Sequence, residues 1–289
     1  NFTLKELEQY LESNNEKKYI GKIIYEWLYK KFVPSFFDMT NISKELREHL
    51  NNNFKIGIIK IRDKQVSKDT IKYLFELDDG ALIETVIMAH DYGNSICVSS
   101  QVGCDMGCAF CASGKLKKVR DLTSGEMVSQ VMTSIITDKI KINSVVIMGI
   151  GEPLLNYDNV LNFIKTINDP KGLEIGARHI TLSTCGIVPG IKRLAEEKMQ
   201  INLALSLHAP SDLIRNTLMP INKAYPISKV IHEINDYIMK TNRRVTIEYV
   251  MINGINDSAK EADLLAKLLR GMNVYVNLIP LNEITNGKF

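Results

Sequence analysis

The chain has 289 residues, 45% of them hydrophobic and 24% charged, with a formal net charge of +3. That is enough apolar material for one large domain, or for a medium core with an appendage. No run reaches the roughly eighteen apolar residues of a membrane span, and the opening "NFTLKELEQYLESNNEKKYI" lacks a signal-peptide core, so a cytoplasmic protein without a membrane anchor is expected.

Residues 1–53 predict a small helical domain, from "LKELEQYL", "YIGKIIYEWLYKKF" ended by Pro34, and "SKELREHLNNNF". Over 54–90 the pattern becomes β-branched and alternating, in "IGIIKIR", "IKYLFEL" and "ALIETVIM", with Asp78 to Gly80 as a tight turn between the last two. A short antiparallel β-extension follows from this. From 91 to 289, strand candidates "SICVSS", "SVVIMG", "HITLST", "INLALSLH", "RVTIEYVMI" and "VYVNLIP" alternate with longer amphipathic stretches, one of which starts with the capping-box spacing of Thr123 and Glu126. Such alternation implies parallel strands with right-handed crossovers, in an α/β barrel or an open doubly wound sheet.

Three of the five cysteines, Cys104, Cys108 and Cys111, share the stretch "GCDMGCAFCASG". A structural zinc site wants four ligands and a disulfide framework an even count, whereas an iron–sulfur cubane bound by three thiolates keeps one iron open for chemistry. Zinc would need Cys97 or His208 to complete the set. Taken alone, the other features are modest. "GIGEP" reads as a βα turn at a strand end, Glu84 as an outward residue of an edge strand, His208 as a satisfied loop histidine, and Cys97 and Cys185 as buried thiols. The cations Lys115, Lys117, Lys118 and Arg120, and those of "KTNRR", read as solvated loops and helix ends.

The spacing C-x-x-x-C-x-x-C, with Phe110 before the third cysteine, resembles the signature of the radical S-adenosylmethionine (SAM) enzymes. Together with "ICVSSQVGC", "VVIMGIGEPLLNYDNV", "GARHITLSTCGIVPGI", "LALSLHAP", "LMPINKAYPI", "VTIEYVMINGINDS", "VNLIPLN" and "IYEWLYKKF", the chain resembles the RlmN branch of the RlmN/Cfr family of radical SAM RNA adenine methyltransferases over essentially its whole length. The resemblance implies a partial (βα)6 radical SAM barrel behind the helical domain and the β-extension, and makes the helical domain a candidate RNA contact. It assigns a [4Fe-4S] cluster to Cys104, Cys108 and Cys111. SAM binding goes to Gly151, Glu152, Ser183, Ser206, Leu207, His208 and Asn277, proton acceptance near the target base to Glu84, and resolution of a covalent enzyme–RNA adduct to Cys97.

The implied activity is methylation of adenine C2 in 23S rRNA and in tRNA by a monomer, with electrons from a donor such as flavodoxin or ferredoxin. The alternatives are Cfr-type methylation of C8, which confers antibiotic resistance, and a non-catalytic Fe–S RNA-binding paralogue. In the family a methyl-carrying cysteine in a C-terminal "ACGQL" motif ends turnover as a disulfide with the Cys97 position. That motif is absent from the 289 residues, and a tail beyond Phe289 is the expectation. A second departure is "SGKLKKVRDL", where relatives carry a glycine-rich stretch ending in asparagine.

Overall fold

The structure, a computed structural model, describes residues 2–282 and 289; the end of the expected barrel, residues 283–288, lies outside the described residues. In chain order the elements are α1 (Leu4–Ser13), α2 (Ile20–Tyr29), α3 (Lys44–Asn53), β1 (Lys60–Val66), β2 (Thr70–Glu76), β3 (Leu82–His90), β4 (Gly93–Cys97), β5 (Gln101–Val102) and β6 (Arg120–Asp121). They continue as α4 (Ser124–Asp138), β7 (Ile142–Ile147), α5 (Tyr157–Asn168), β8 (Ile180–Thr184), α6 (Val188–Leu194), β9 (Asn202–Ser206), α7 (Asp212–Leu218), α8 (Ile227–Thr241), β10 (Val245–Met251), α9 (Ala259–Leu268) and β11 (Val274–Pro280). They pack as two units. The first comprises Asn1–Ser99, Leu122–Val145 and Asp158–Ile180, the second Ser100–Asp121, Val146–Tyr157 and Thr181–Phe289.

In the first unit, Thr3 and Glu6 close a capping box that starts α1 and sets Leu7 and Leu11 on its inner face. Gly21 lets α2 approach, since a Cβ there would lie 2.9 Å from Glu8 Cγ. Helix α2 stops at Tyr29, short of the predicted "KKF", because Phe32 turns left-handed at φ 54 ahead of Pro34. Ser43 caps α3, and Leu46 and Leu50 join Ile24, Tyr25, Phe36, Met39 and Ile42 in a small helical core.

Strands β1 to β4 form an antiparallel meander, with the predicted turn at Gly80, φ 80. Strand β1 starts at Lys60 and not at Ile56, because the Ile59 N–H is taken by Thr133 Oγ1 of α4 at 3.0 Å. One face of the meander buries Tyr73, Phe75, Ile83, Ile87 and Ile96. Helix α4 begins at the predicted Thr123–Glu126 capping box. Its buried Gln130 accepts from the Ser99 N–H (2.8 Å) and donates to the Ser99 carbonyl (3.0 Å), satisfying the backbone just past β4.

In the second unit β8, β9, β10 and β11 are parallel neighbours, and α6, α7, α8 and α9 lie in the connections. The strand cores Leu203, Ala204, Leu205, Val245 and Ile247 are buried, as expected of parallel strands covered on both faces. Asn242, left-handed at φ 53, ends α8 and returns the chain to β10. The register aligns Ser206 with Glu248 and Glu248 with Asn277, so three polar residues fall in one row near the C-terminal ends of adjacent strands. All six expected strands are present, as β4 and β7 to β11, and the first also closes the antiparallel meander through its pairing with β3.

Candidate active site

The cysteine loop leaves β5 and returns in β6, whose pairing Gln101↔Asp121 and Val102↔Arg120 pins its two ends. Gln101 Nε2 reinforces the clasp by donating to Asp121 Oδ1 at 2.7 Å. Inside the loop the segment 113–118 runs back across the cysteines. The Cys104 N–H donates to the Leu116 carbonyl (2.8 Å) and the Lys118 N–H to Asp105 Oδ1 (2.9 Å). The approach demands glycine. At Gly103, φ 74, a Cβ would stand 2.0 Å from the Lys117 carbonyl oxygen. The Ala109 N–H donates to the Leu218 carbonyl at the end of α7 (2.8 Å).

None of the five cysteines forms a disulfide. The disulfide anticipated for Cys97 is therefore not present, because the partner that the resemblance gives it lies outside the 289 residues. Burial pushes the Cys108 thiol up to about 12, helped by the negative charges of Cys111 and Cys104, and burial also raises Cys104. Three thiolates so close repel one another, and a multiply charged metal centre is what would stabilise them together. No three His, Cys, Asp or Glu side chains among the described residues have the spacing for a single ion. A cubane instead takes each thiolate on a different iron, so this donor set fits an iron–sulfur cluster.

Beside the loop, Gly151 adopts φ 107, where a Cβ would meet Gln101 Cβ at 2.5 Å. Glu152 follows, only 2% exposed. Its N–H donates to Gln101 Oε1 (2.9 Å), while Oε1 accepts from the Leu154 N–H (3.0 Å) and Oε2 from the Cys185 N–H (2.8 Å). Burial raises its carboxyl despite those donors. The side chains of Cys185 and Thr184 also hydrogen-bond to it. Cys185 is a small buried residue, as the sequence suggested, with its Sγ 3.3 Å from Met106 Sδ in the cysteine loop.

Ser183 Oγ and Ser206 Oγ lie 3.4 Å apart, and Asn277 Nδ2 donates to Glu248 Oε2 at 2.7 Å. Burial raises the Glu248 carboxyl and the Asn277 bond opposes that rise. Leu207 and His208 both direct their N–H groups at the Glu248 carbonyl (3.1 and 3.3 Å). Leu207 is fully buried. His208 sits at φ 56 and is nearly buried. Its Nδ1 accepts from the Val250 N–H (3.0 Å), which puts the neutral ring's proton on Nε2. Burial, and secondarily the Arg215 charge, bring its pKa down to about 3, so it stays neutral. Phe110 packs edge-on against it, with centroids 4.7 Å apart, tying the cysteine loop to the end of β9.

The second unit therefore brings together Cys104, Cys108, Cys111, Gly151, Glu152, Ser183, Ser206, Leu207, His208 and Asn277. Glu84 and Cys97 belong to the first unit. There Val86 pairs with Cys97 and Leu74 with Glu84, so Glu84, Val86, Cys97 and Lys72 share the half-exposed face of the meander. Lys72 Nζ makes an ion pair with Glu84 Oε1 at 2.6 Å.

Sequence reading missed Glu248, Gln101, Asn256 and Arg215. Asn256 donates to the His208 and Val250 carbonyls (2.8 and 2.7 Å) and accepts from the Ile252 N–H (2.7 Å), knitting two strand ends together. A carboxylate inside the apolar run "VTIEYVM" was the available signal for Glu248.

The family model for the radical SAM superfamily matches residues 98–266, and that for the ribosomal RNA large subunit methyltransferase N-terminal domain matches residues 1–56. A probable dual-specificity RNA methyltransferase RlmN of Spiroplasma citri is 54% identical, over 98% of this chain and 83% of the relative. A second, from Acholeplasma laidlawii, is 51% identical over 99% of this chain and 85% of its own length. The crystal structure of a radical SAM methyltransferase from Sphaerobacter thermophilus superposes with a TM-score of 0.93 at 41% identity, covering 98% of this chain and 84% of that one. The fold is thus the radical SAM type of α/β barrel with an N-terminal helical extension. The chain belongs to the radical SAM RlmN/Cfr family, on its RlmN branch.

Proposed function

We propose that the chain is a SAM-dependent RNA methyltransferase that places a methyl group on C2 of adenine in 23S rRNA and in tRNA, with a [4Fe-4S] cluster held by Cys104, Cys108 and Cys111. The observation that carries this reading is the three-thiol loop seated, through Phe110 and His208, against strand ends that offer Ser183, Ser206 and Asn277. When bound, the cluster with SAM supplies hydrogen-atom abstraction, which polar methyl transfer to an aromatic carbon cannot replace.

The chain's own groups then divide the work. Glu152, fixed by two backbone N–H groups, supplies the negative charge for the SAM amino group, with Gly151 admitting the close backbone approach. The Ser183 and Ser206 hydroxyls, the Leu207 backbone and Asn277, braced by Glu248, orient the rest of SAM. His208 is a neutral strut that takes up no second proton at working pH. On the meander face, Glu84 accepts the C2 proton, and the Cys97 sulfur attacks that of the family's methyl-carrying cysteine, breaking the carbon–sulfur bond to the product and leaving the two cysteines as a disulfide. An external one-electron donor and a working monomer complete the proposal. No helix among the described residues is long and apolar enough to cross a membrane.

The test is nucleoside analysis of RNA incubated anaerobically with full-length protein, iron, sulfide, SAM and a reductant. Formation of 2-methyladenosine is expected. Only 8-methyladenosine would shift the reading to Cfr-type chemistry, and 5′-deoxyadenosine without any methylated adenosine would overturn it.

A further inference from the structure

Arg215, in α7, is fully buried, a rare state for a cation that holds no carboxylate. It donates five hydrogen bonds, all to neutral oxygens. Nε reaches the Leu207 carbonyl (3.1 Å). Nη1 reaches Asn222 Oδ1 (2.9 Å) and the Tyr225 carbonyl (3.4 Å), and Nη2 the Cys185 carbonyl (2.7 Å) and the Ser206 carbonyl (3.2 Å). Asp212 is the nearby carboxylate, but its Oδ1 is occupied by Asn222 Nδ2 (2.8 Å) and the Ile227 N–H (2.9 Å). Among the described residues Arg215 forms no ion pair.

Three of those acceptors, the Cys185, Ser206 and Leu207 carbonyls, belong to or adjoin the segments the proposed function assigns to SAM. Cys185 is held from both sides, its N–H by Glu152 and its carbonyl by Arg215. Ser206 and Leu207, at and just past the end of β9, are held through their carbonyls. Helix α7 then ends at Leu218, whose carbonyl receives the Ala109 N–H of the cysteine loop. One planar fork therefore fixes the peptide groups beneath Ser206, Leu207 and Glu152 on the helix that also braces the cysteines. Neutral acceptors leave its charge without an ion-pair partner among the described residues, with Asp212 acting on it only through space, and so able to face an anionic ligand set.

Resting on the proposed function, we infer that Arg215 is a positioning residue for SAM. It sets the strand-end backbone and supplies the fixed positive charge against which thiolates and the SAM carboxylate are held. Lysine at this position would keep the charge and lose the fork.

The experiment compares wild type with R215K and N222A, each reconstituted with iron and sulfide under nitrogen. It reads bound iron, the SAM-induced change in the EPR signal of the reduced cluster as SAM is titrated, and KM against kcat for 5′-deoxyadenosine formation. R215K is expected to keep its iron, to weaken SAM binding roughly tenfold to a hundredfold, and to raise KM more than it lowers kcat. N222A, which removes one acceptor of the fork, is expected to weaken SAM binding less, in the same direction. Wild-type SAM affinity in iron-loaded R215K overturns the inference. If R215K fails to fold, weakened SAM binding in N222A upholds the inference and wild-type affinity there overturns it. A wild-type protein whose cluster signal ignores SAM would instead defeat the proposed function itself.

Discussion

Glu152 and Glu84 are carboxylates assigned to one proposed reaction, yet their surroundings contrast throughout. Glu152 is 2% exposed and locked by backbone N–H groups from two segments, with a glycine before it that tolerates no side chain. Glu84 has a side chain 42% exposed on an open sheet face, and its ion-pair partner is a flexible lysine. The strand ends of the second unit are built before any ligand arrives, since preorganised groups cost nothing to align at the moment of reaction. The meander face keeps its groups adjustable, as would suit the proposed role of receiving a large substrate.

The contrast breaks most completely at the thiols. Replacing Cys108 with Ala is expected to abolish bound iron and 5′-deoxyadenosine formation, read by iron assay and visible absorption after anaerobic reconstitution. Retention of the wild-type iron content would show that the three-thiol loop is not the cluster site. Next in size is G151A. A Cβ 2.5 Å from Gln101 Cβ, at φ 107, adds steric overlap to backbone strain, and should cost about 2–3 kcal/mol of unfolding free energy in urea. An unchanged midpoint would mean that the strand ends are less tightly built than the geometry requires.

Which parts of this were legible in the sequence follows from how far each depends on pairing. The capping box at Thr123 and Glu126 is local chemistry four residues long and appears where expected. So do the six strands, whose apolar runs are dense enough to read unaided. The row Ser206, Glu248, Asn277 exists only through the register of three strands far apart in sequence, so sequence pattern alone does not assemble it. Arg215 was invisible for a different reason, because an arginine on a short helix is ordinarily solvated and nothing local marks one that is buried. The early end of α2 and late start of β1 show the converse. A left-handed Phe32 and a side-chain acceptor on α4 overrode sound local patterns.

A smaller effect sharpens the contrast by pH. The His208 pKa falls from 6.5 to about 3 on folding, so the native state binds fewer protons than the unfolded chain in between. Its contribution to stability is fully present above 6.5 and is lost as the pH drops toward 3, by about 1.4 kcal/mol per unit. Urea unfolding at pH 7 and pH 5 should therefore show wild type losing about 2 kcal/mol more than H208Q. Parallel losses would indicate that the ring protonates without unfolding its surroundings.

The smallest effect is expected on the open face. The Lys72–Glu84 pair is more than a third exposed at both ends, so solvent screens most of its Coulomb energy, and K72M should change unfolding free energy by less than about 1 kcal/mol. What the lysine does contribute is direction. A short ion pair between neighbouring strands holds the Glu84 carboxylate toward β2, on the face that also carries Cys97. With that tether removed, RNA methylation should fall while SAM cleavage without RNA stays at the wild-type rate, because no rim group has been touched. Equal loss of both activities would instead tie the meander to cofactor binding and erase the division between a prebuilt rim and an adjustable face.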